Sequence, residues 1–178
     1  MPENALPGNS PAALPITQAG LKDLRSLSKL EKAAFNADDA WPLIDLIGVL
    51  TFPDIVRLKI EADRQLVAFI AVEVKRSQRR ATVLTIAVAP PWQGKGLGER
   101  LLKAGEDAAG MPVIRLTTRR TNDPAISLYQ KTGYKQVDVW ERYYSGGEDG
   151  LVFEKHWQPG KQAADRLQPP MVSPPNKI

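Results

Sequence analysis

The chain has no cysteine and only one histidine, His156, among its 178 residues. The first absence removes disulfides, thiolate nucleophiles, zinc knuckles and iron–sulfur clusters. The second argues against a multi-histidine metal centre, so no metal site is expected. No stretch approaches the roughly 18 consecutive apolar residues of a membrane span. The start "MPENALPGNS" carries neither a basic leader nor an apolar run, which points to the cytoplasm and to no membrane partner. Charge of either sign is not in great excess. A formal +4 suits an anionic ligand and is too small to argue for nucleic acid by itself.

What is present fits one globular domain: 43% hydrophobic and 25% charged residues in a chain of ordinary domain length. Prolines crowd both ends, at Pro2, Pro7, Pro11 and Pro15 and again from Pro159 to Pro175. Residues 1–15 and 158–178 therefore read as flexible tails around a folded unit at residues 16–157.

Periodicity organises that unit. After a short strand, Leu21, Leu24, Leu27, Leu30 and Ala34 recur at helical spacing, and a second helical pattern follows from Trp41 to Leu50. "RLKIEAD", "QLVAFIAVEV" and "ATVLTIAV" alternate as strands of an antiparallel meander. The turn "KRSQRR" between the last two has no interleaved aromatic residue, so Lys75, Arg76, Arg79 and Arg80 read as a solvated turn rather than a nucleic-acid surface. Beyond Gly96 a helix carries Leu97, Leu101, Leu102, Ala108 and Ala109 on one face and stops at Gly110. "VIRLTT" is again a strand. "NDPAISLYQKTG" reads as a helix with Asp123 as N-cap and Pro124 in its first turn. Two more strands lie around residues 134–143 and 151–155, and His156 is expected at the surface.

One segment carries chemistry on its own. In "PPWQGKGLGERLL", Gly94, Gly96 and Gly98 follow a strand and open a helix. Unpaired amides and the helix dipole make such a junction an anion site, and glycine lets the backbone approach the anion closely. The spacing fails both the dinucleotide fingerprint and the P-loop, since Lys95 is followed by Gly96 rather than Ser or Thr.

"QGKGLG", Gln93 to Gly98, resembles the Q/R-x-x-G-x-G/A signature of the GNAT N-acetyltransferase superfamily. "RLTTRRTNDPAISLYQKTGYKQV" resembles the family's N-x-x-A-x-x-x-Y-x-x-x-G-F/Y block at Asn122, Ala125, Tyr129, Gly133 and Tyr134. The resemblance implies a single α/β (α+β) domain with a mixed, mostly antiparallel sheet of about seven strands flanked by about four helices. It implies acetyl-coenzyme A as cofactor. The pantetheine arm would lie on Ile86, Ala87 and Val88, the pyrophosphate on Gln93, Gly94, Lys95, Gly96, Leu97 and Gly98, with Asn122 and Tyr129 also at the coenzyme. Tyr129 matches the general acid that protonates the departing sulfur.

"YYSGGEDGLVFEK" is similar to a segment of the RimI-like, or protein N-terminal, branch. There Tyr143 and Tyr144 would contact the acceptor's backbone, and Trp41 would line the acceptor groove. Asp38 and Asp39 could meet a cationic amine or cap a helix. The branch carries glutamate as base twelve residues before the tyrosine, where this chain has Thr117. Threonine cannot serve, Thr82 offers little more than a hydrogen bond, and Glu73 is a weak substitute, so the base is unassigned. Arg115 and Arg119 share the face of Thr117 and suit either an acidic substrate or nearby carboxylates.

Without a strong base the site favours the better amine. An α-amine is neutral about 2.5 pH units earlier than a lysine side chain, worth about 3.5 kcal/mol. The expected activity is acetyl transfer to an amine by direct attack in a ternary complex, with a protein or peptide N-terminus as leading acceptor. A small-molecule amine acceptor, or a non-catalytic acyl-coenzyme A-binding sensor or interaction domain, are the alternatives.

Overall fold

A computed structural model describes residues 10–36 and 39–156. Its elements run β1 (Ile16–Gln18), α1 (Leu24–Ala34), α2 (Leu43–Thr51), β2 (Ile55–Ala62), β3 (Gln65–Lys75), β4 (Arg80–Val88), α3 (Leu97–Ala109), β5 (Val113–Arg119), α4 (Asp123–Lys131), β6 (Lys135–Trp140) and β7 (Gly150–His156). The strands form one seven-stranded sheet in the order β1-β2-β3-β4-β5-β7-β6. All neighbours are antiparallel except β4 and β5, whose parallel pairing requires the crossover helix α3.

Alternation along the strands divides the core into two layers. Ile70, Val72, Val83, Ile114, Leu116 and Phe153 meet α3 on one face. Leu66, Phe69, Ala71 and Ala87 meet Leu27 and Leu30 of α1 and Leu46, Val49 and Leu50 of α2 on the other. Gly105 lets α3 lie close on β3, since a Cβ there would stand 3.0 Å from Ile70 and 3.1 Å from Val72. Glu106, also buried, accepts a hydrogen bond from the Tyr134 hydroxyl at 2.8 Å and one from Lys155 at 2.6 Å. This buried charge is therefore paired, as burial demands.

The two strands that define the site part company early. β4 and β5 pair only at Arg80–Val113, Ala81–Ile114 and Thr82–Arg115. Immediately afterwards β4 carries one residue more than β3: Ala71 faces Thr85 and Val72 faces Val83, which leaves Leu84 extra. A bulge bends the strand that holds the extra residue, and here the bend carries β4 off β5. From Val83 onward the edge of β4 that faces β5 has no strand partner.

Several sequence expectations need adjusting. Leu21 lies in a short 3-10 turn before α1 and is 56% exposed, and Ala108 is exposed on α3. The N-cap of α4 is Asn122, not Asp123: its Oδ1 accepts from the Ala125 amide at 3.2 Å. Residues 10–15, expected to belong to a tail, pack on the domain. Leu14 is buried in the core, and the Arg100 guanidinium of α3 donates to the carbonyls of Pro11 and, at 2.6 Å, Leu14. Residues 1–9 and 158–178 lie outside the described residues, as does Asp38.

Candidate active site

The gap between β4 and β5 opens a cleft of about 880 Å³ that runs from the α3/α4 face of the sheet to the α1/α2 face. On the α3/α4 side it begins at the glycine loop. Gly94 and Gly96 have φ of 71° and 81°, left-handed values that favour glycine. Gly96 is the N-cap of α3 and offers no side chain, so the first-turn amides of the helix stay available. Gln93 closes the loop by donating from Nε2 to the Val88 carbonyl at 3.0 Å. At Gly98 a Cβ would meet Leu128 at 3.3 Å, so its lack of a side chain sets how closely α3 approaches α4.

Ile86, Ala87, Val88, Gln93, Gly94, Gly96, Leu97, Gly98, Asn122 and Tyr129, all singled out from the sequence, line this cleft. Lys95 does not; its ammonium stands over the Trp92 ring, 5.1 Å from the centroid. Trp41, Tyr143, Tyr144 and Thr117 line the opposite end. The free β4 edge can pair with amides and the α3 N-terminus can hold phosphate. The residues present thus fit coenzyme A, an anionic ligand with an amide-bearing arm.

The profile of the Acetyltransferase (GNAT) family matches residues 22–134. The chain belongs to that family. It is an acetyl-coenzyme A-dependent N-acetyltransferase, RimI-like in sequence. It is similar to the N-alpha-acetyltransferase RimI of Mycobacterium tuberculosis, 31% identical over 146 residues, 79% of this chain and 92% of the relative. It is also similar to the [ribosomal protein bS18]-alanine N-acetyltransferase of Salmonella typhimurium, 33% identical over 103 residues, 54% of this chain and 68% of the relative. The crystal structure of the ribosomal-protein-S18-alanine N-acetyltransferase from Escherichia coli shares the fold, with TM-score 0.72 and 24% identity over 83% of this chain and 96% of that one.

In this acetyltransferase Tyr129 is 5% exposed, with its ring 5.9 Å from Tyr134 and 6.0 Å from Phe153. Burial, with Tyr144 nearby, pushes its phenol well above the usual range, so it stays protonated. No hydrogen bond joins its hydroxyl to another described residue. A buried ring with a free hydroxyl on a cleft wall is equipped to donate a proton into that cleft.

The end of the cleft at Tyr144 is fastened by an ion-pair network that the sequence left open. Arg119 donates to Asp39 from Nε at 2.6 Å and Nη2 at 2.5 Å, and to Glu148 from Nη1 at 2.7 Å. Its guanidinium also lies over Tyr144, 4.6 Å from the ring centroid. Glu148 accepts from the Thr121 amide and hydroxyl as well. These hydrogen bonds, Thr121 foremost, hold its carboxyl down at about 2, while burial and Tyr143 raise Tyr144 to about 12. Asp39 thus meets Arg119 rather than a free amine, and Arg115 meets Glu154 at 2.6 Å. Of the weak base candidates, Glu73 pairs with Lys75 at 3.0 Å, and neither it nor Thr82 lines the cleft.

Gly150 is a site neighbour that sequence reasoning missed. A Cβ there would stand 2.9 Å from the Thr117 methyl and 3.1 Å from the Tyr143 ring. Its only signal in the sequence is a glycine closing "SGGEDG".

Proposed function

We propose that this acetyltransferase acts on the α-amine of a protein or peptide N-terminus, bound together with acetyl-coenzyme A so that attack is direct. Thr117 is the observation that carries this reading. With threonine where the family's glutamate stands, no carboxylate meets the acceptor directly at that position, and such a site favours the α-amine, whose neutral form costs about 3.5 kcal/mol less to reach than that of a lysine. The names of its relatives, N-alpha-acetyltransferase and ribosomal protein-alanine N-acetyltransferase, speak for the same class.

Bound acetyl-coenzyme A supplies the activated acetyl group as a thioester. Ile86, Ala87 and Val88 hold its arm through their backbone, and the loop from Gln93 to Gly98, with Asn122, holds its phosphate end. Trp41, Tyr143 and Tyr144 give the incoming chain end apolar faces with an indole N–H or a hydroxyl at their edges. Tyr129 donates its phenolic proton to the departing sulfur. The same reading places the enzyme in the cytoplasm; among the described residues no helix is long and apolar enough to cross a membrane.

The test is coenzyme A release over about pH 6 to 10, with peptides varied in their first two residues beside lysine-only peptides and small amines. Turnover with free α-amino peptides alone is the expected outcome. Turnover with small amines alone would replace this reading by the small-molecule one.

A further inference from the structure

Transfer to an amine leaves a proton to be placed, and the candidates named from the sequence do not take it. One carboxylate on the acceptor face is unused. Glu31, on α1, is 0% exposed. Its Oε1 accepts a hydrogen bond from the Thr85 hydroxyl at 3.1 Å, the Trp41 backbone amide donates to the carboxylate, and Oε2 has no partner among the described residues. A buried carboxylate with an unpaired oxygen is a costly feature that calls for a use.

Thr85 connects that carboxylate to the site. It follows the bulge residue Leu84 on the stretch of β4 that has left β5, and it lines the cleft. Ile114 and Leu116 point to the α3 side, so Thr117 points to the same face of the sheet as Thr85, across the gap. A threonine hydroxyl that donates to a carboxylate keeps only acceptor capacity for anything else. The group that complements it is an N–H donor, which an acceptor amine is.

We propose that Thr85 and Glu31 together take the proton that Thr117 cannot, the hydroxyl of Thr85 accepting it from the acceptor amine while passing its own to Glu31. The amine arrives as its ammonium: an N–H bond breaks and a Thr85 O–H bond forms, while the previous Thr85 O–H bond breaks and an O–H bond forms at Glu31 Oε1. The carboxylate becomes neutral and the nitrogen, now a neutral amine, is left the electron pair that bonds to carbon; the second proton it must lose on becoming an amide passes to water in the cleft as the thiolate departs. Once the product has left, the proton returns by the same hydroxyl, through water in the emptied cleft, to Tyr129, which has lost its own to the sulfur. Thr85 meets the substrate; Glu31 acts through it.

The surroundings of Glu31 suit a proton store. Burial raises its carboxyl above the usual range, against the opposing hydrogen bonds from Thr85 and Trp41. Apart from Thr85, the buried residues of α2, β3 and β4 in the layer around α1 are apolar: Leu46, Val49, Leu50, Leu66, Phe69, Ala71 and Ala87. The charged residues of those elements, Asp45, Glu73, Lys75 and Arg80, do not act on its titration.

The inference rests on acetyl transfer to an amine, not on which amine. Wild type, Thr85→Val, Thr85→Ser and Glu31→Gln are compared with acetyl-coenzyme A and two acceptors, a short peptide with a free N-terminal alanine and spermidine, over about pH 7 to 11. Coenzyme affinity and Tm are measured alongside. Near neutral pH, Thr85→Val and Glu31→Gln are expected to lower kcat about 100-fold with coenzyme affinity kept. The deficit should shrink to about tenfold or less above the amine's own pKa, where neutral amine is abundant. Thr85→Ser should restore most of the rate. A deficit that is the same at both ends of the pH range, or a Thr85→Val enzyme as fast as wild type, would overturn the relay. Turnover of spermidine alone would sink the N-terminal reading while the variants are compared on spermidine with the same expectation. A wild type inert toward both acceptors would overturn the two together.

Discussion

Tyr129 and Thr117 lie twelve residues apart in the chain and both line the one cleft. Tyr129 was legible in the sequence because its block fixes both its helix and the face it occupies. Its free hydroxyl was not, since that depends on Tyr134 and Phe153 surrounding only the ring. The hydroxyl makes no hydrogen bond to another described residue, so removing it should leave the fold intact. Tyr129→Phe is expected to lower kcat about 100-fold, with Tm and coenzyme affinity unchanged. Steady-state kinetics beside calorimetric titration of coenzyme A checks this, and an unchanged kcat would remove Tyr129 from the mechanism. Glu31 shows the opposite case. In "LEKAAF" it reads as one more charge on an amphipathic helix, and only the approach of β4 makes it a buried one.

Among the elements, α3 carries the function assigned to it by its two ends. Both ends are glycines in the left-handed region, Gly96 at φ 81° and Gly110 at φ 61°, and neither would bring a Cβ within 4 Å of another group. Alanine at either position therefore adds backbone strain alone, about 1–2 kcal/mol, which for a domain of this size lowers Tm by a few degrees. Gly96 lines the cleft, where the proposed function puts the phosphate end of the coenzyme, and Gly110 at the far end of the helix does not. Gly96→Ala is expected to weaken coenzyme binding and Gly110→Ala to leave it unchanged, at similar cost in Tm. Equal affinities in the two variants would detach the α3 N-terminus from the coenzyme. The helix and its stops were readable because capping is a local matter. The bulge at Leu84 was not, because an extra residue exists only relative to the neighbouring strand.

At the scale of the molecule, two arginines tie distant segments together. Arg100 joins residues 10–15 to α3, and Arg119 joins the α1–α2 connection to the loop between β6 and β7. The second tie has a pH signature. Glu148 titrates at about 2 in the folded protein against an ordinary 4.5, so its pairing contributes fully above the ordinary value and is lost as pH falls through the lower one. The Tm difference between wild type and Glu148→Gln is expected to be present at neutral pH, to shrink below about 4.5 and to vanish near 2. A difference independent of pH would mean that Glu148 acts through packing rather than charge.

The sequence by itself determined the family, the elements and the glycine loop that opens α3, because periodicity, capping and glycine placement act within a few residues of each other. It also exposed the missing glutamate at Thr117, a matter of residue identity alone. The tertiary structure decided what replaces a sequence label with a contact: that Asp39 and Glu148 claim Arg119, that Leu14 belongs to the core, and that Glu31 lies buried against Thr85. Those pairings join segments tens of residues apart, and long-range approach is set by how the whole sheet bends and which faces its helices cover.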